Sequence, residues 1–172
     1  MPYLYVLAAV ILRLLPHPWN ATPLGAMFLF SGATFRSKRD SLLVPLAALL
    51  VSDIAVDRFL YGATGTWFNP WTWSAFLLIG LIGWALRDKI TVGRVAVGTL
   101  AGSMAFFLLS NFGVWATGPM YPHTLSGLAA CYSAGVPFVR ETMLGDLAYS
   151  AVMFGSYAWL RHRKPVLATS AS

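Results

Sequence analysis

The 172 residues are 58% hydrophobic and only 10% charged, with a mean hydropathy of +0.66. Soluble domains carry about 25% charged residues, so the composition is that of an integral membrane protein of one domain's length. The formal charge of +6 does not mark a nucleic-acid surface, because nine of the twelve basic residues lie in three short groups rather than on one contiguous face.

The first apolar segment, Tyr3–Leu15, would be about 20 Å long as a helix, which is short for a span. Met1-Pro2-Tyr3 supplies no basic n-region and Arg13 interrupts the far end, so the segment reads as retained rather than cleaved. Pro16, Pro18 and Asn20 then force a turn around His17 and Trp19. Thr22 is placed to cap a second helix with Pro23 at its first position. Gly25, Ala26, Ser31, Gly32 and Ala33 in that helix are small enough for close packing. Arg36, Lys38 and Arg39 end it. Ser41–Leu60 is long enough to span and carries Asp53, Asp57 and Arg58 late.

Tyr61–Trp73 reads as a loop rich in Gly, Thr, Asn and Pro, and its Trp67, Phe68, Trp71 and Trp73 suit an interfacial aromatic belt. Thr72–Leu86 is the fourth segment, closed by Arg87, Lys89 and Arg94. Val92–Trp115 is the fifth, with Gly98 and Gly102 in GxxxG spacing. Within the long connection Thr117–Pro137, Leu125–Ala134 is expected to form a short interfacial or re-entrant helix. Val136–Leu160 is the sixth segment, followed by Arg161, Arg163 and Lys164. A disordered cytoplasmic tail is expected over 165–172, leaving 1–164 as a single transmembrane domain.

Basic groups after the second, fourth and sixth segments orient the chain with both termini cytoplasmic. The expected fold is therefore an all-α, six-helix transmembrane bundle whose first two helices are short. Seven charged residues lie outside those groups and their neighbours Asp40 and Asp88: Arg13, Asp53, Asp57, Arg58, Arg140, Glu141 and Asp146. The topology puts all seven in the outer halves of their segments, together with Asn111 and Trp115. A charge at the centre of a bilayer helix costs ~2.5–3.5 kcal/mol on insertion scales, so these should face protein, water or a ligand. They suggest an outward-opening polar chamber walled by the first, third, fifth and sixth helices.

Plainer readings stand beside this one. Arg13 can snorkel to the interface or pair with Asp53 or Asp146. Asp57 and Arg58 fit solvated surface, Glu141 can stabilise a helix N-terminus, and Asn111 can join two helices. Asp53 and Asp146 are the hardest to dismiss. His17, His123 and Cys131 match no standard zinc spacing, leaving His123 and Cys131 as weak metal candidates at most. The one cysteine also excludes an internal disulfide. No catalytic motif is present, and no cofactor is expected.

Two blocks, Arg13–Phe35 (RLLPHPWNATPLGAMFLFSGATF) and Leu109–Gly155 (LSNFGVWATGPMYPHTLSGLAACYSAGVPFVRETMLGDLAYSAVMFG), cover a little under half of the chain. They resemble a family of small, uncharacterised bacterial inner-membrane proteins grouped with the substrate-binding S subunits of energy-coupling-factor (ECF) vitamin transporters. The resemblance implies six helices, capture of a vitamin-like micronutrient near the outer face, and docking onto a transmembrane coupling protein with ATPases. Small residues on the first helix form that docking contact in S subunits. Ala8 and Ala9 are small, but AxxxA spacing is absent, which favours a solitary member or a scaffold-like relative. The expected partners are the lipid bilayer, a small-molecule ligand, and either that coupling protein or further copies of the chain in a homo-oligomer.

The leading functional expectation is micronutrient binding or uptake at the outer face of the bacterial inner membrane. Its ligand-binding residues would be Arg13, Trp19, Asn20, Asp53, Asn111, Trp115, Tyr121, Arg140, Glu141 and Asp146. Arg13 or Arg140 would pair an anionic group, the acids would accept hydrogen bonds, and Trp115 or Tyr121 would stack on the ligand. The alternatives are a structural membrane scaffold with no ligand and a membrane enzyme using Asp53 or Asp146 as acid or base with an outer metal.

Overall fold

Apolar segments broken by turn residues and basic groups become six helices. The structure, a computed structural model, describes residues 2–15, 22–59, 62–65 and 68–162, with side chains as far as Arg161. The helices are α1 (Pro2–Leu14), α2 (Leu24–Thr34), α3 (Asp40–Phe59), α4 (Pro70–Trp84), α5 (Val92–Thr117) and α6 (Leu125–His162), and no strand occurs among the described residues. The first two are short, as expected. Local chemistry sets several ends. The Asn69 side chain accepts from the amides of Trp71 (3.0 Å) and Thr72 (3.2 Å), with Pro70 at the first helical position, so α4 starts inside the expected loop. Thr91 caps α5 through the Arg94 amide at 3.4 Å. Thr22 does not cap α2, because Pro23 holds the N-cap and no side chain bonds that end.

The C-terminal third differs from the sequence reading. One helix of 38 residues replaces the short helix and the separate sixth segment, running through Gly135 and Pro137. At 1.5 Å per residue it is about 57 Å long. Proline removes one amide donor from the ladder, yet Gly135 lets this stretch lie directly on α5. A Cβ there would come 2.6 Å from Asn111 Oδ1 and 2.9 Å from the Phe107 ring. The close contact keeps the helix continuous across the proline. It also puts Glu141 about four turns inside α6, so Glu141 stabilises no helix N-terminus.

Helix α2 is the hub. It packs against all five other helices, and every residue from Leu24 to Ala33 is buried. A helix enclosed on all sides must be apolar all round, and α2 carries no charge. It must also be thin where neighbours cross. A Cβ on Gly32 would overlap the Gly80 carbonyl oxygen and come 2.9 Å from the Gly83 Cα, so α2 and α4 cross backbone to backbone. Elsewhere its bulky side chains interlock. Phe28 stacks on Phe76 with centroids 5.3 Å apart, and Phe30 meets Phe154 and Tyr157 edge-on. Arg87 closes the C-terminal end, its Nε donating to the Gly32 carbonyl at 2.7 Å, where a cation suits the helix dipole.

Contacts along the helices show one polarity. Tyr3 meets Phe35 and Trp84 bonds Ser41, while Arg87 reaches Gly32, so the three basic groups, as far as they are described, gather at one end of the bundle, here the basic end, and Arg13, Arg58 and Arg140 lie away from it. The outward faces are apolar: Leu7, Val51, Leu81, Val97, Leu144 and Val152 are all exposed. Serines, Thr99 and Asp146 lie inside. Of the described helices, Val92–Thr117 alone is long and apolar enough to cross a membrane by those two criteria. Helices α1, α2 and α4 have 13, 11 and 15 residues, and α3 and α6 carry the unclustered acids.

The α2–α4 crossing yields the first prediction. Gly32→Leu is expected to lower stability by about 3 kcal/mol or to abolish folding. Gly93→Ala, where an added Cβ meets nothing within 4 Å, should be neutral or mildly stabilising. Thermal unfolding of the two variants in mild detergent checks the contrast.

Candidate functional site

Cross-helix contacts rank the polar residues by depth. Asp146, Ser103 and Gly25 lie on one level, since Ser103 Oγ donates to Asp146 Oδ2 at 2.7 Å and a Cβ on Gly25 would overlap the Asp146 carboxylate. Gly102 packs on Ile79 at the same level. Trp73 is six residues nearer the far end on α4, about 9 Å higher. Trp71 against Gly113 lies higher still. Helix α2 starts at the lowest of these levels, and the other five helices all continue past it toward the far end.

Asp146 is 5% exposed, and a buried carboxylate needs compensation. Two sources are visible. The Ser103 hydroxyl donates to it, and the carboxylate lies beside the first turn of α2, where the helix dipole favours negative charge. The vacant side-chain position of Gly25 makes that approach possible. Below it the seam continues, with Thr99 Oγ1 donating to Ser150 Oγ at 3.0 Å. Thr99, Ser103, Asp146 and Ser150 thus form a buried polar line between α5 and α6. Gly25, Ser103 and Thr99 escape a reading based on charge. Their signal is spacing: Thr99 and Ser103 are four apart and adjoin the Gly98–Gly102 pair.

Arg13 and Asp53 form the upper cluster. Their ion pair is 2.6 Å long with side chains only 16% and 12% exposed. Arg13 also donates to Ser52 Oγ at 2.5 Å, and Trp73 Nε1 donates to Asp53 Oδ2 at 3.0 Å. Helices α1, α3 and α4 are therefore tied by one carboxylate. Pairing of Arg13 with Asp53 is among the arrangements the sequence allows. Trp73 belongs to the cluster rather than to an interfacial belt, and Ser52 and Trp73 are its additions to the expected set.

The far end is aromatic. Trp71 packs on Phe112 and Phe112 on Trp115, with centroids 5.0 and 5.5 Å apart. Trp115 Nε1 donates to the Pro122 carbonyl at 3.0 Å, and its ring lies 5.8 Å from His123. Asn111 spends its amide on the Phe107 carbonyl at 2.8 Å and lines a recess of about 190 Å³ between α5 and α6, with Ser110, Gly135 and Thr142. Cys131 is buried with its Sγ 3.3 Å from the Asn111 carbonyl. Tyr121 is half-buried. Among the described residues no three His, Cys, Asp or Glu side chains could share a metal ion.

The remaining residues separate from these clusters. Asp57 is buried and holds the 62–65 turn, accepting from Thr64 Oγ1 (2.5 Å) and the Gly65 amide (3.2 Å), so solvated surface does not describe it. Gly62, Ala63 and Gly65 adopt positive φ around that carboxylate. Arg58, Arg140 and Glu141 are exposed, and the last two make no ion pair or hydrogen bond among the described residues. Trp19, Asn20, His17 and the tail expected over 165–172 lie outside the described residues.

A family model for DUF6580, a family of unknown function, matches residues 1–167. The chain belongs to this family. No curated protein and no solved structure matches it.

Two predictions follow from the clusters. Gly25→Ala, which drives a methyl into the Asp146 carboxylate, should destabilise more than Ser103→Ala, which removes one hydrogen bond worth about 1 kcal/mol. Equal effects in thermal unfolding would contradict the packing of Asp146 on α2. For the upper cluster, Arg13→Met or Asp53→Leu alone should cost about 3 kcal/mol by stranding the other charge, and the double variant should recover most of it. A double-mutant cycle with no coupling would show that the pair is not formed.

Proposed function

We propose that the chain is a multi-pass membrane protein. Its six helices cross the bilayer with the basic end and both termini on the cytoplasmic side, and it binds a small polar molecule from the outer side. Exposed apolar side chains around the bundle, with Ser, Thr and Asp inside, support the bilayer part. Basic groups gathered at one end support the orientation. Short helices can take part in such a bundle when their neighbours bury them, as α2 is buried.

The binding part rests on one observation: α2 starts deep, and five longer-reaching helices continue past its first turn. In this reading the ligand lies above that turn, over Asp146 and beside Arg13, Asp53 and Trp73, while the space between Gly25, Ser103 and Asp146 itself is closed. Trp71, Phe112 and Trp115 supply flat apolar surface toward the mouth. Few fixed polar groups among apolar and aromatic walls suit small-molecule capture. Arg13, Asp53 and Asp146 are the residues proposed to contact the ligand, and Asn111, Trp115 and Tyr121 to border it. The resemblance of Arg13–Phe35 and Leu109–Gly155 to ECF S subunits adds a vitamin-like micronutrient as the class, taken up by a solitary or module-docked component. Arg140 and Glu141 are exposed and are left out of this set.

A second reading has its own support. The Arg13–Asp53 pair is already complete, as expected of a scaffold whose charges serve only to lock helices together. Mass spectrometry of protein extracted mildly from its native membrane separates the two. A co-purifying small molecule, lost in Arg13→Ala and Asp146→Asn, is the expected result. A stable protein partner with no small molecule, and uptake unchanged in both variants, would establish the scaffold instead.

A further inference from the structure

At the basic end, opposite the proposed recess, α5 and α6 splay apart around a second space of about 480 Å³. It begins at Ile90 and Val92 on one side and runs from Leu147 to Ala158 on the other, about 16 Å along α6. Its walls are apolar and its α6 side is low: Ala151, Gly155 and Ala158 are small and exposed. An added Cβ on Gly155 would meet nothing within 4 Å. Thr99 and Ser150 lie at its base but bond each other and the Val95 carbonyl, so they ask for no polar guest.

Charge is confined to one end. Lys89 is exposed and immediately precedes Ile90, and Arg161 lies one turn beyond Ala158. Arg94 donates to the carbonyls of Ala85 (2.5 Å) and Lys89 (3.0 Å), fixing the connection that carries Lys89 at the mouth. An elongated apolar trough with cations at its membrane-surface end matches a molecule with an apolar tail and an anionic head. A partner helix would fill the trough equally well but would leave Lys89, and Arg161 beside the Tyr157 ring at 5.7 Å, without an anion.

We propose that this groove holds an acyl chain of an anionic phospholipid from the cytoplasmic leaflet, with the phosphate drawn to Lys89 and Arg161. The site rests on the bilayer part of the proposed function and is independent of the ligand recess. Each cation at the membrane surface contributes about a fivefold preference for anionic lipid.

The test starts with carbonate extraction of native membranes. A chain released by carbonate would overturn the membrane reading and this site together. If the chain stays, the purified protein is placed in nanodiscs of equal phosphatidylglycerol and phosphatidylcholine, and the lipids surviving mild extraction are weighed by native mass spectrometry. The expected result is retained phosphatidylglycerol in several-fold excess. That excess should fall about fivefold in Lys89→Ala, which leaves the packing untouched, and retention should be lost in Ala151→Phe, which fills the trough. Val97→Phe, on an exposed face outside the groove, should match the wild type. Retention in the bilayer ratio, or retention unchanged by Lys89→Ala and Ala151→Phe, would overturn the lipid site alone. So would efficient disulfide dimers of Gly155→Cys, which would make a second copy the occupant.

Discussion

The bundle depends on burying an 11-residue helix on every side. Helix α2 has no solvent-facing stripe on which to place polar residues, so each of its faces must match a different neighbour. Glycine solves the two tightest approaches. Gly32 admits the α4 backbone, and Gly25 admits a carboxylate. Larger side chains between them, Phe28 and Phe30 above all, supply the apolar contact that holds α4 and α6 in place. Packing this dense leaves little room to relax, so a single added methyl at either glycine acts on two helices at once.

Polar groups in such an interior survive only with partners. Asp53, on α3, is bonded by Arg13 from α1 and Trp73 from α4, and Arg13 extends the link to the Ser52 hydroxyl. Asp146 instead takes one hydroxyl and the end of a helix. The first arrangement locks three helices near the far end. The second ties α6 to the start of α2 and leaves the acid at the level where α2 begins. An acid held by fewer direct bonds is the one more able to exchange a partner for a ligand, which distinguishes Asp146 from Asp53 in the proposed recess.

The apolar segments and the basic groups made the six helices and their shared polarity legible in the sequence. The continuity of α6 was not, because Gly135-Val136-Pro137 reads as a break when the neighbour that stabilises it is unseen. The same missing context misplaced part of the site. At about 100° per residue, Glu141 and Arg140 stand roughly 140° and 240° around the helix from Asp146, so one face could not present all three. The spacing carries that information, whereas counting charges by depth ignores direction. The role of Ser52 with Asp53, and of Ser103 with Asp146, needs the neighbouring helix and is not written in either segment alone.

Glycines on these helices divide by what stands in the place of the absent side chain. At Gly25, Gly32, Gly102 and Gly113 a neighbour occupies it, and the cost of glycine in a helix, about 1 kcal/mol relative to alanine, is offset by closer packing. At Gly155 nothing within the chain does so. That residue lies about two turns inside the C-terminal end of α6, where no turn or positive φ requires it. Its flanking small residues Ala151 and Ala158 keep the surface low over about two turns, in a chain whose other outward faces carry Leu, Val and Ile. A low apolar trough that returns no packing energy to the bundle itself is best explained by an occupant from outside it, and the position of Lys89 and Arg161 at one end gives that occupant a charged head.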